Sequence, residues 1–535
     1  MQPFSDRLVL PPRPFRLLGG AGMALGIAAL VITVLAAILS AAGNQPAAAG
    51  TPTDIGHLLR MTAIQAALST ILSLVVGTAL AWSLNRLSFR GRGLVVGLFA
   101  SAIVTPGLIV AFGLLTVWGR SGWVNAALAP FHLSVGNPMF GLAGILVAHT
   151  ILDAAFAARV LLVRLDALPS ARLKTGQSLA LSAWQRFVII DWPVIGSTLP
   201  GLASIIFLLA FTSFPIVLLL GGGPANQTLE VAIYSAVRLD FDLHGAVMLA
   251  LVQIAVCSVL ILLSAALAPV PTSLGPSAGQ SWSDRRGPRL LQWSILVVCL
   301  AGFVLPLLAV LIGGIGPGLN VLGRLDFWSA TATSLIIGIA SATLSVLLAL
   351  ILAASRAATG NVLARIGLAA PAYAYLAVPA VVLALGFFLA VRSFGLAPET
   401  AAPWVVIIAN ALLSLPFAIA TLAPPLEAIA RNQGRLIRAL GLSGWRQFTL
   451  VEFPMLGRDI GVALTLAFCF SLGDLGVISF FGTQDFTTLP LLMYRSLSSY
   501  RSNDAGAIAA LMLVFTTLAF IGLPRLFDRL AHARS

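Results

Sequence analysis

Twelve apolar segments, each long enough to cross a membrane, dominate this sequence of 535 residues. A membrane-spanning helix needs about 20 consecutive apolar residues. Only 9% of the residues are charged, against about 25% in soluble domains. We therefore predict an all-α integral membrane protein with twelve transmembrane helices. The predicted spans are 17–43, 61–84, 94–118, 140–163, 194–220, 245–268, 290–315, 329–354, 366–391, 401–424, 458–482 and 505–527.

A segment rich in proline, glycine and serine, residues 269–289, separates six predicted spans from six, as a linker would. The two sides resemble each other, since Gly113 and Gly386 follow Pro106 and Pro379 at the same distance. A repeat of this length indicates a duplicated domain. Because each copy has an even number of helices, the copies are parallel in the membrane. We predict a first half at 1–268, the linker at 269–289 and a second half at 290–535.

A polar loop occurs once in each half, at 166–193 (the first loop) and at 427–454 (the second loop). Each is predicted to form a short helix, a break of small residues, and a second short helix with Trp and Phe on one face. A proline then begins the next membrane helix. We interpret the loops as surfaces that dock into a groove on a soluble partner; the alternative is an aromatic belt at the membrane interface. The residues assigned to docking are Ala180, Leu181, Ser182, Trp184, Phe187, Gly441, Leu442, Ser443, Trp445 and Phe448.

The charge distribution predicts the orientation. The chain has 31 Lys and Arg residues against 18 Asp and Glu, a formal net charge of +13. With the N-terminus inside, 24 of the 31 basic residues lie on the side of the two loops. This bias follows the positive-inside rule, so we expect both termini, the linker and both loops in the cytoplasm. The same rule explains the basic character without a nucleic-acid partner.

Motifs for catalysis and for metal or nucleotide binding are absent from the sequence. Lys174, the only lysine, is preceded by Leu173, so no phosphate-binding P-loop exists. The three cysteines lie within apolar spans and give no zinc or disulfide spacing. We expect a chain that is not an enzyme and that binds no cofactor and no metal.

Both loops resemble the EAA loop of the inner-membrane permeases of ABC importers. In that family the loop seats in a groove of the ATPase subunit. Gly441 falls on the family's glycine, and Ala180 replaces it in the first loop. Neither 174–176 nor 435–437 keeps the Glu-Ala-Ala triplet, but both loops keep the spacing of 13 residues from this position to the closing proline.

The resemblance covers nearly the whole chain and implies a type I ABC importer fold. Fused halves are similar to the permeases of thiamine and ferric-iron importers. Phe214–Pro224, Thr228–Tyr234 and Ser471–Gly506 resemble the thiamine branch in particular. The resemblance therefore implies the permease subunit of an ATP-driven importer for thiamine or thiamine diphosphate in a bacterial inner membrane.

The same resemblance implies the partners. Cytoplasmic ABC ATPase subunits, in two copies, would carry ATP and Mg²⁺, and a periplasmic binding protein would deliver the cargo. A permease for ferric iron, polyamine or another small solute is the main alternative. An ion-coupled secondary transporter, which also shows repeated halves, is the remote one.

Candidate cargo contacts are few. Asp474 lies inside the eleventh predicted span, where a carboxylate is costly and faces a cavity or a partner. Its counterpart in the first half is Ser213. We expect both to line the translocation path; the alternative for Asp474 is a helix contact beside Gly473 and Gly476. The binding protein would land on the outer loops, which carry Glu230, Arg238, Asp240, Asp242, Asp485, Tyr494, Arg495, Tyr500, Arg501 and Asp504.

Overall fold

The computed structural model describes residues 14–44, 54–265, 282, 284–315, 317–375 and 378–533, which form helices and no strands. The helices before the linker are α1 Pro14–Asn44, α2 Ile55–Arg86, α3 Arg92–Ala100, α4 Gly107–Trp118, α5 Trp123–Leu128, α6 Leu142–Asp166, α7 Ser170–Ser178, α8 Ala183–Arg186, α9 Trp192–Phe211, α10 Pro215–Leu220, α11 Leu229–Arg238 and α12 Leu243–Ala265. Those after it are α13 Arg286–Gly313, α14 Leu325–Ala357, α15 Val362–Ala374, α16 Ala380–Ser393, α17 Pro398–Ala439, α18 Gly444–Gln447, α19 Phe453–Leu472, α20 Ile478–Phe481, α21 Leu489–Ser498 and α22 Ser502–His532.

Eleven of the described helical segments are long and apolar enough to cross a membrane, and they account for eleven of the twelve predicted spans. The remaining span, 366–391, is divided between the shorter helices α15 and α16. The order of helices repeats along the chain, so that α13 to α22 follow the course of α1 to α12. The fold is therefore an all-helical membrane bundle of two parallel six-helix repeats.

The third and ninth predicted spans are broken helices rather than the continuous ones that we expected. Pro106 stands directly before α4, and Pro379 stands directly before α16. A proline cannot donate a backbone N–H and disfavours helical geometry in the residue before it. Each span therefore ends one helix and starts another within the membrane.

The fifth and eleventh spans also end earlier than predicted. Helix α9 stops at Phe211 and α19 at Leu472, where the sequence predicted 220 and 482. Helix α17 differs in the opposite direction, because it continues past the predicted end at residue 424 to Ala439. Residues beyond Pro424 and Pro425, among them Ile429 and Ile437, are buried, so packing carries this helix past its prolines.

The first helix of each half packs against the other half. Helix α1 packs on α14, α15 and α16, while α13 packs on α2 and α4. Gly113 and Gly386 mark close approaches of these helices. A Cβ atom at Gly113 would lie 2.5 Å from the Pro306 carbonyl oxygen, and one at Gly386 would lie 2.4 Å from a Val34 methyl group. The glycine found at matching positions in the sequence thus lets a helix of the opposite half approach.

Most of the predicted linker, residues 269–281 and 283, lies outside the described residues. Its last part is helical, because α13 begins at Arg286 and not at the predicted residue 290. Trp282 and Asp284 precede that helix and lie against the first loop.

Candidate functional site

The two loops have similar backbone paths, although Gly444 in the second loop has a further positive φ, at 55°. After the preceding helix the chain passes through Ala180 in the first loop and Gly441 in the second, both with positive φ, at 49° and 63°. The short helices α8 and α18 follow, and a π-helical turn then leads directly into α9 and α19. The first loop has a separate helix, α7, before the break. In the second loop the corresponding segment is the end of α17, so the separate short helix that we predicted there does not exist.

The left-handed residue closes the same helix-ending motif in both loops. The N–H of Leu181 donates to the carbonyl oxygen of Gly176 at 3.3 Å, and that of Leu442 donates to Ile437 at 3.0 Å. The residue before each leucine donates to a carbonyl three positions back, at 3.0 Å in both loops. This pairing is the Schellman arrangement, which satisfies the last carbonyls of a helix. The break in each loop is therefore a hydrogen-bonded turn.

Each loop exposes a tryptophan. Trp184 is 71% exposed and Trp445 is 75% exposed. Each contacts the half-buried phenylalanine three residues later: the rings of Trp184 and Phe187 are stacked with centroids 5.7 Å apart, and those of Trp445 and Phe448 are tilted by 32° with centroids 5.4 Å apart. Phe187 and Phe448 thereby support an exposed aromatic ring in each loop, and Trp184 and Phe187 line an apolar pocket with Trp82 and Trp192 of the neighbouring membrane helices.

The remaining residues assigned to docking lie around these tryptophans. Ala180 and Gly441 are exposed at the break, and Leu181 and Leu442 turn partly inward. Ser182 caps α8 in a capping box with Gln185, whereas Ser443 makes no such side-chain bond to α18. Leu179 and Leu440, which the sequence analysis did not single out, are strongly exposed beside each break. Their shared spacing of 261 residues was the signal that could have identified them.

Beyond the ends of α9 and α19 that lie away from the loops, the short helices α11 and α21 meet. The N–H of Leu229 at the start of α11 donates to Thr62 Oγ1 at 3.0 Å. The N–H of Leu489 at the start of α21 donates to Ser334 Oγ at 2.7 Å. In each short helix, one N–H group of the first turn, which has no partner within the helix, is thus bonded to a membrane helix of the same half.

Tyr234 on α11 and Tyr494 on α21 contact each other across the two halves. Their ring centroids are 6.5 Å apart and the ring planes stand at 82°. Phe214 and Phe480 pack against Tyr234. Burial, and next the neighbouring Tyr494, raises the pKa of Tyr234 to about 12, so its phenol stays neutral at physiological pH. These four rings, which we call the aromatic gate, form a contact between halves on the side opposite the loops.

An arginine joins the halves beside the aromatic gate. Arg238 on α11 donates from Nε to the Ser479 carbonyl at 2.7 Å and from Nη2 to the Gly482 carbonyl at 3.3 Å. Arg495 on α21 also reaches Gly482, at 3.4 Å, and donates to the Thr483 carbonyl at 3.0 Å. The bonds of Arg238 cross from the first half to the second, whereas those of Arg495 stay within the second.

Asp474 and Ser213 occupy matching places, each two residues past the end of α19 or α9. The Asp474 carboxylate accepts N–H bonds from Val477 at 3.1 Å and Ile478 at 3.3 Å. These bonds hold the turn between α19 and α20. A Cβ atom at the adjacent Gly473 would lie 2.8 Å from Pro106, at the break of the third span. Asp474 therefore stands where the two halves meet.

Two exposed aromatic side chains mark the outer turns after α11 and α21. Phe241 is 85% exposed and Tyr500 is 97% exposed. Both have positive φ, at 55° and 59°, a conformation that costs an L-residue about 1 kcal/mol. Strained exposed residues are typical of functional surfaces.

Glu230 does not belong to this outer surface, although we predicted it there. Its side chain is fully buried and accepts a hydrogen bond from Gln253 at 3.0 Å. The prediction was wrong because Glu230 lies in the first turn of α11, which packs into the membrane bundle.

Comparison with known proteins agrees with this architecture. Residues 345–533 match the family of binding-protein-dependent transport system inner membrane components. Over 525 residues the chain is 36% identical to the thiamine transport system permease protein ThiP of Salmonella typhimurium, covering 95% of this chain and 96% of that one. The identity to the Escherichia coli protein of that name is 35%, over 94% of this chain and 95% of the relative. To the Brucella melitensis protein of that name the identity is 36%, over 96% of this chain and 95% of the relative.

The fold and the two loops thus define an inner-membrane permease of a binding-protein-dependent transport system. Its family consists of transport permeases and not of enzymes, because a separate subunit hydrolyses ATP. Within that class the chain belongs to the thiamine transport system permease proteins.

Proposed function

We propose that this chain is the membrane-spanning subunit of an ATP-driven importer that carries thiamine or thiamine diphosphate across a bacterial inner membrane. The observation that carries the proposal is the similarity to thiamine permeases, which extends over 95% of the chain and so includes both loops and the aromatic gate. The ferric-iron alternative is not favoured by these relatives.

The two loops dock onto ATPase subunits, one loop to each of two copies. Their exposed tryptophans and leucines, Trp184 and Leu179 in the first loop and Trp445 and Leu440 in the second, suit an apolar groove on a soluble partner. The repeated Schellman turn supports this role, since a rigid loop transmits movement and a flexible one does not. ATP and Mg²⁺ are held by the partner, because the chain has no P-loop sequence.

The loops and both termini face the cytoplasm. The charge bias of 24 basic residues out of 31 on that side supports this orientation. A single cysteine introduced by Tyr500→Cys is expected to react with a membrane-impermeant maleimide in intact spheroplasts. One introduced by Lys174→Cys is expected to react only after the membrane is opened, and the reverse pattern would refute the orientation.

The aromatic gate closes the path on the periplasmic side. Tyr234 and Tyr494 come from different halves, and Arg238 bonds one half to the backbone of the other. Rocking of one half against the other would separate these contacts and expose the path to the periplasm. Four aromatic rings suit a cargo with a positively charged heteroaromatic ring, such as the thiazolium of thiamine, by cation–π attraction.

Asp474 and Ser213 line the path between the halves. The two backbone bonds that Asp474 accepts fix its carboxylate at the turn after α19. Its carboxyl group is therefore held in place near the meeting point of the halves, on the route of a cationic ring. The positive thiazolium ring of thiamine supports this assignment, whereas the negative diphosphate group of thiamine diphosphate counts against it.

The periplasmic binding protein lands on the outer turns. Phe241 and Tyr500 are exposed in the turns that follow α11 and α21, one in each half. A binding protein that contacts both turns would touch both halves of the chain. The strained conformation of both residues supports a role outside the folded chain itself.

Uptake by cells tests the cargo. The gene for the chain is deleted in its host, and uptake of labelled thiamine is measured with and without a plasmid copy. We expect uptake to fall on deletion and to return with the wild-type chain, while ferric-iron uptake stays unchanged. Loss of iron uptake with intact thiamine uptake would overturn the cargo assignment.

A further inference from the structure

Each loop is bound by residues within or just before the first turn of the first helix of the other half. For the second loop the contact is made by Arg16 in the first turn of α1. Its guanidinium donates to both oxygens of Glu452, at 2.7 and 3.0 Å. Ser355 Oγ donates to the Arg16 carbonyl at 2.6 Å and fixes that end of the helix.

For the first loop the contact is made by Trp282 and Asp284, just before α13. The Trp282 carbonyl accepts a bond from Arg186 Nη1 at 2.8 Å, and its ring lies 4.1 Å from the centre of the same guanidinium. The ring edge also lies 3.0 Å from the position of a Cβ at Gly176, which is glycine. Trp282 is therefore fitted closely against the loop.

Asp284 lies between two buried arginines. Its Oδ1 is 3.2 Å from Arg86 Nη1 and 3.8 Å from Arg186 Nη1. Asp191 in the first loop also pairs with Arg86. The side chains of Arg86 and Arg186 are fully buried. Removing one partner of a buried charge pair leaves an uncompensated charge, so the first loop depends on a carboxylate that does not belong to it.

The contact continues into the membrane. Gln292 on α13 donates to Asp284 Oδ2 at 2.7 Å, which joins the carboxylate to that helix. Further along α13, Pro306 packs against Gly113 on α4, beyond the break of the third span. A displacement of the first loop can thus reach the broken helix of the first half through a helix of the second.

We propose that Asp284 and Trp282 form a crossed tether that transmits movement of the first loop to α13, and that Arg16 and Glu452 serve the second loop and α1 in the same way. Asp284 is a positioning residue, since it acts through Arg186 and Arg86. The proposal rests on the proposed function, because it takes the loops to be moved by the ATPase. It adds that when the ATPase moves a loop of one half, the first helix of the other half moves with that loop.

The test uses the complete importer in proteoliposomes, with binding protein and labelled thiamine. Asp284→Asn, Asp284→Glu and Trp282→Ala are compared with the wild type. Asp326→Asn is the matched control, because Asp326 pairs with Arg324 at a partly exposed site away from both loops, where ion pairs contribute little. The readouts are ATPase subunit bound per permease, stimulation of ATPase by loaded binding protein, and thiamine transported per ATP.

We expect Asp284→Asn and Trp282→Ala to retain the ATPase subunit but to lower both stimulation and thiamine per ATP about five-fold or more, as for usual coupling free energies. Asp284→Glu should recover part of the loss, and Asp326→Asn should match the wild type. Wild-type stimulation and stoichiometry in both Asp284→Asn and Trp282→Ala would overturn the tether.

A double-mutant comparison separates coupling from simple destabilisation. Arg186→Gln should be non-additive with Asp284→Asn, because the two side chains form one contact, while Arg16→Gln should add independently. Additive effects in both pairs would also overturn the tether. A wild-type importer whose ATPase responds to binding protein but moves no thiamine would instead contradict the proposed cargo, and the stimulation readout would still decide on the tether.

Discussion

Ala180 and Gly441 hold the same left-handed backbone conformation, at φ 49° and 63°, at the same point of two loops 261 residues apart. A glycine adopts this conformation without a steric penalty, whereas an alanine pays about 1 kcal/mol. The first loop thus keeps the fold of the second although it lacks the residue that favours it. The turn has the same left-handed residue position in both loops, although only the second loop has glycine there.

Exchanging these two residues should change stability in opposite directions. We expect Ala180→Gly to raise the free energy of unfolding by up to about 1 kcal/mol and Gly441→Ala to lower it by about 1 kcal/mol. Nothing lies within 4 Å of a Cβ at Gly441, so only the backbone conformation is affected. Thermal unfolding of the purified chain in detergent measures both, and a change of equal sign in the two variants would refute the explanation.

The exposed tryptophans should be needed for ATPase docking and not for folding. We expect Trp184→Ala and Trp445→Ala to insert normally but to reduce the ATPase subunit recovered with the permease, because each removes an exposed apolar surface. Trp404→Ala is the control, since Trp404 is also 71% exposed but lies near the start of α17, away from the loops. Equal recovery with all three variants would rule out docking through these residues.

Opening the aromatic gate should make the path leak. Arg238→Ala removes two bonds between the halves, so we expect faster efflux of preloaded thiamine from proteoliposomes without ATP. Arg495→Ala is the matched comparison, because the bonds of Arg495 stay within one half. A leak from Arg495→Ala that equals the leak from Arg238→Ala would show that the contact between halves is not the closing element.

Replacing the strained residues of the outer turns should raise the stability of the chain and weaken its response to the binding protein. We expect Phe241→Gly and Tyr500→Gly to raise the free energy of unfolding by about 1 kcal/mol each, since glycine removes the strain of the left-handed conformation. The same variants should respond less to loaded binding protein, measured as ATPase stimulation. Phe394→Ala, which removes another strongly exposed aromatic ring, is expected to keep the response, and an unchanged response in all three would refute the landing site.

The crossing of helices between halves should depend on Gly113. A Cβ there would lie 2.5 Å from the Pro306 carbonyl, so we expect Gly113→Ala to cost about 1–3 kcal/mol of stability, as overpacking does. Gly97→Ala on α3 is the control, because nothing lies within 4 Å of its Cβ. Thermal unfolding of both variants measures this loss of stability. Equal stability of the two variants would mean that α13 can move aside without a loss of free energy.

The sequence predicted the spans and the repeat well because both depend on composition and spacing. The glycines at positions 113 and 386 were recognised as matching, but their purpose needed the structure, since the helices they contact belong to the other half. The broken spans were missed although Pro106 and Pro379 were visible, because apolar length alone does not show where a helix restarts.

The contacts between halves were the least predictable part. Nothing in the sequence joins Asp284 to Arg186, or Tyr234 to Tyr494, because neither pair is close along the chain. The prediction for Glu230 was wrong for the same reason. The hydropathy pattern places this residue in an outer loop, whereas tertiary packing buries it. Loop geometry was more accessible, because the Trp and Phe spacing of a short helix fixes their shared face.

ATP-dependent uptake into proteoliposomes is the most direct test of the central claim. The chain is reconstituted with its ATPase and binding protein, and labelled thiamine, thiamine diphosphate and ferric iron are offered separately. We predict ATP-dependent accumulation of thiamine or its diphosphate and none of iron, with loss of accumulation when Trp184 and Trp445 are both replaced by alanine. Accumulation of iron alone, or of thiamine without ATP, would contradict the account.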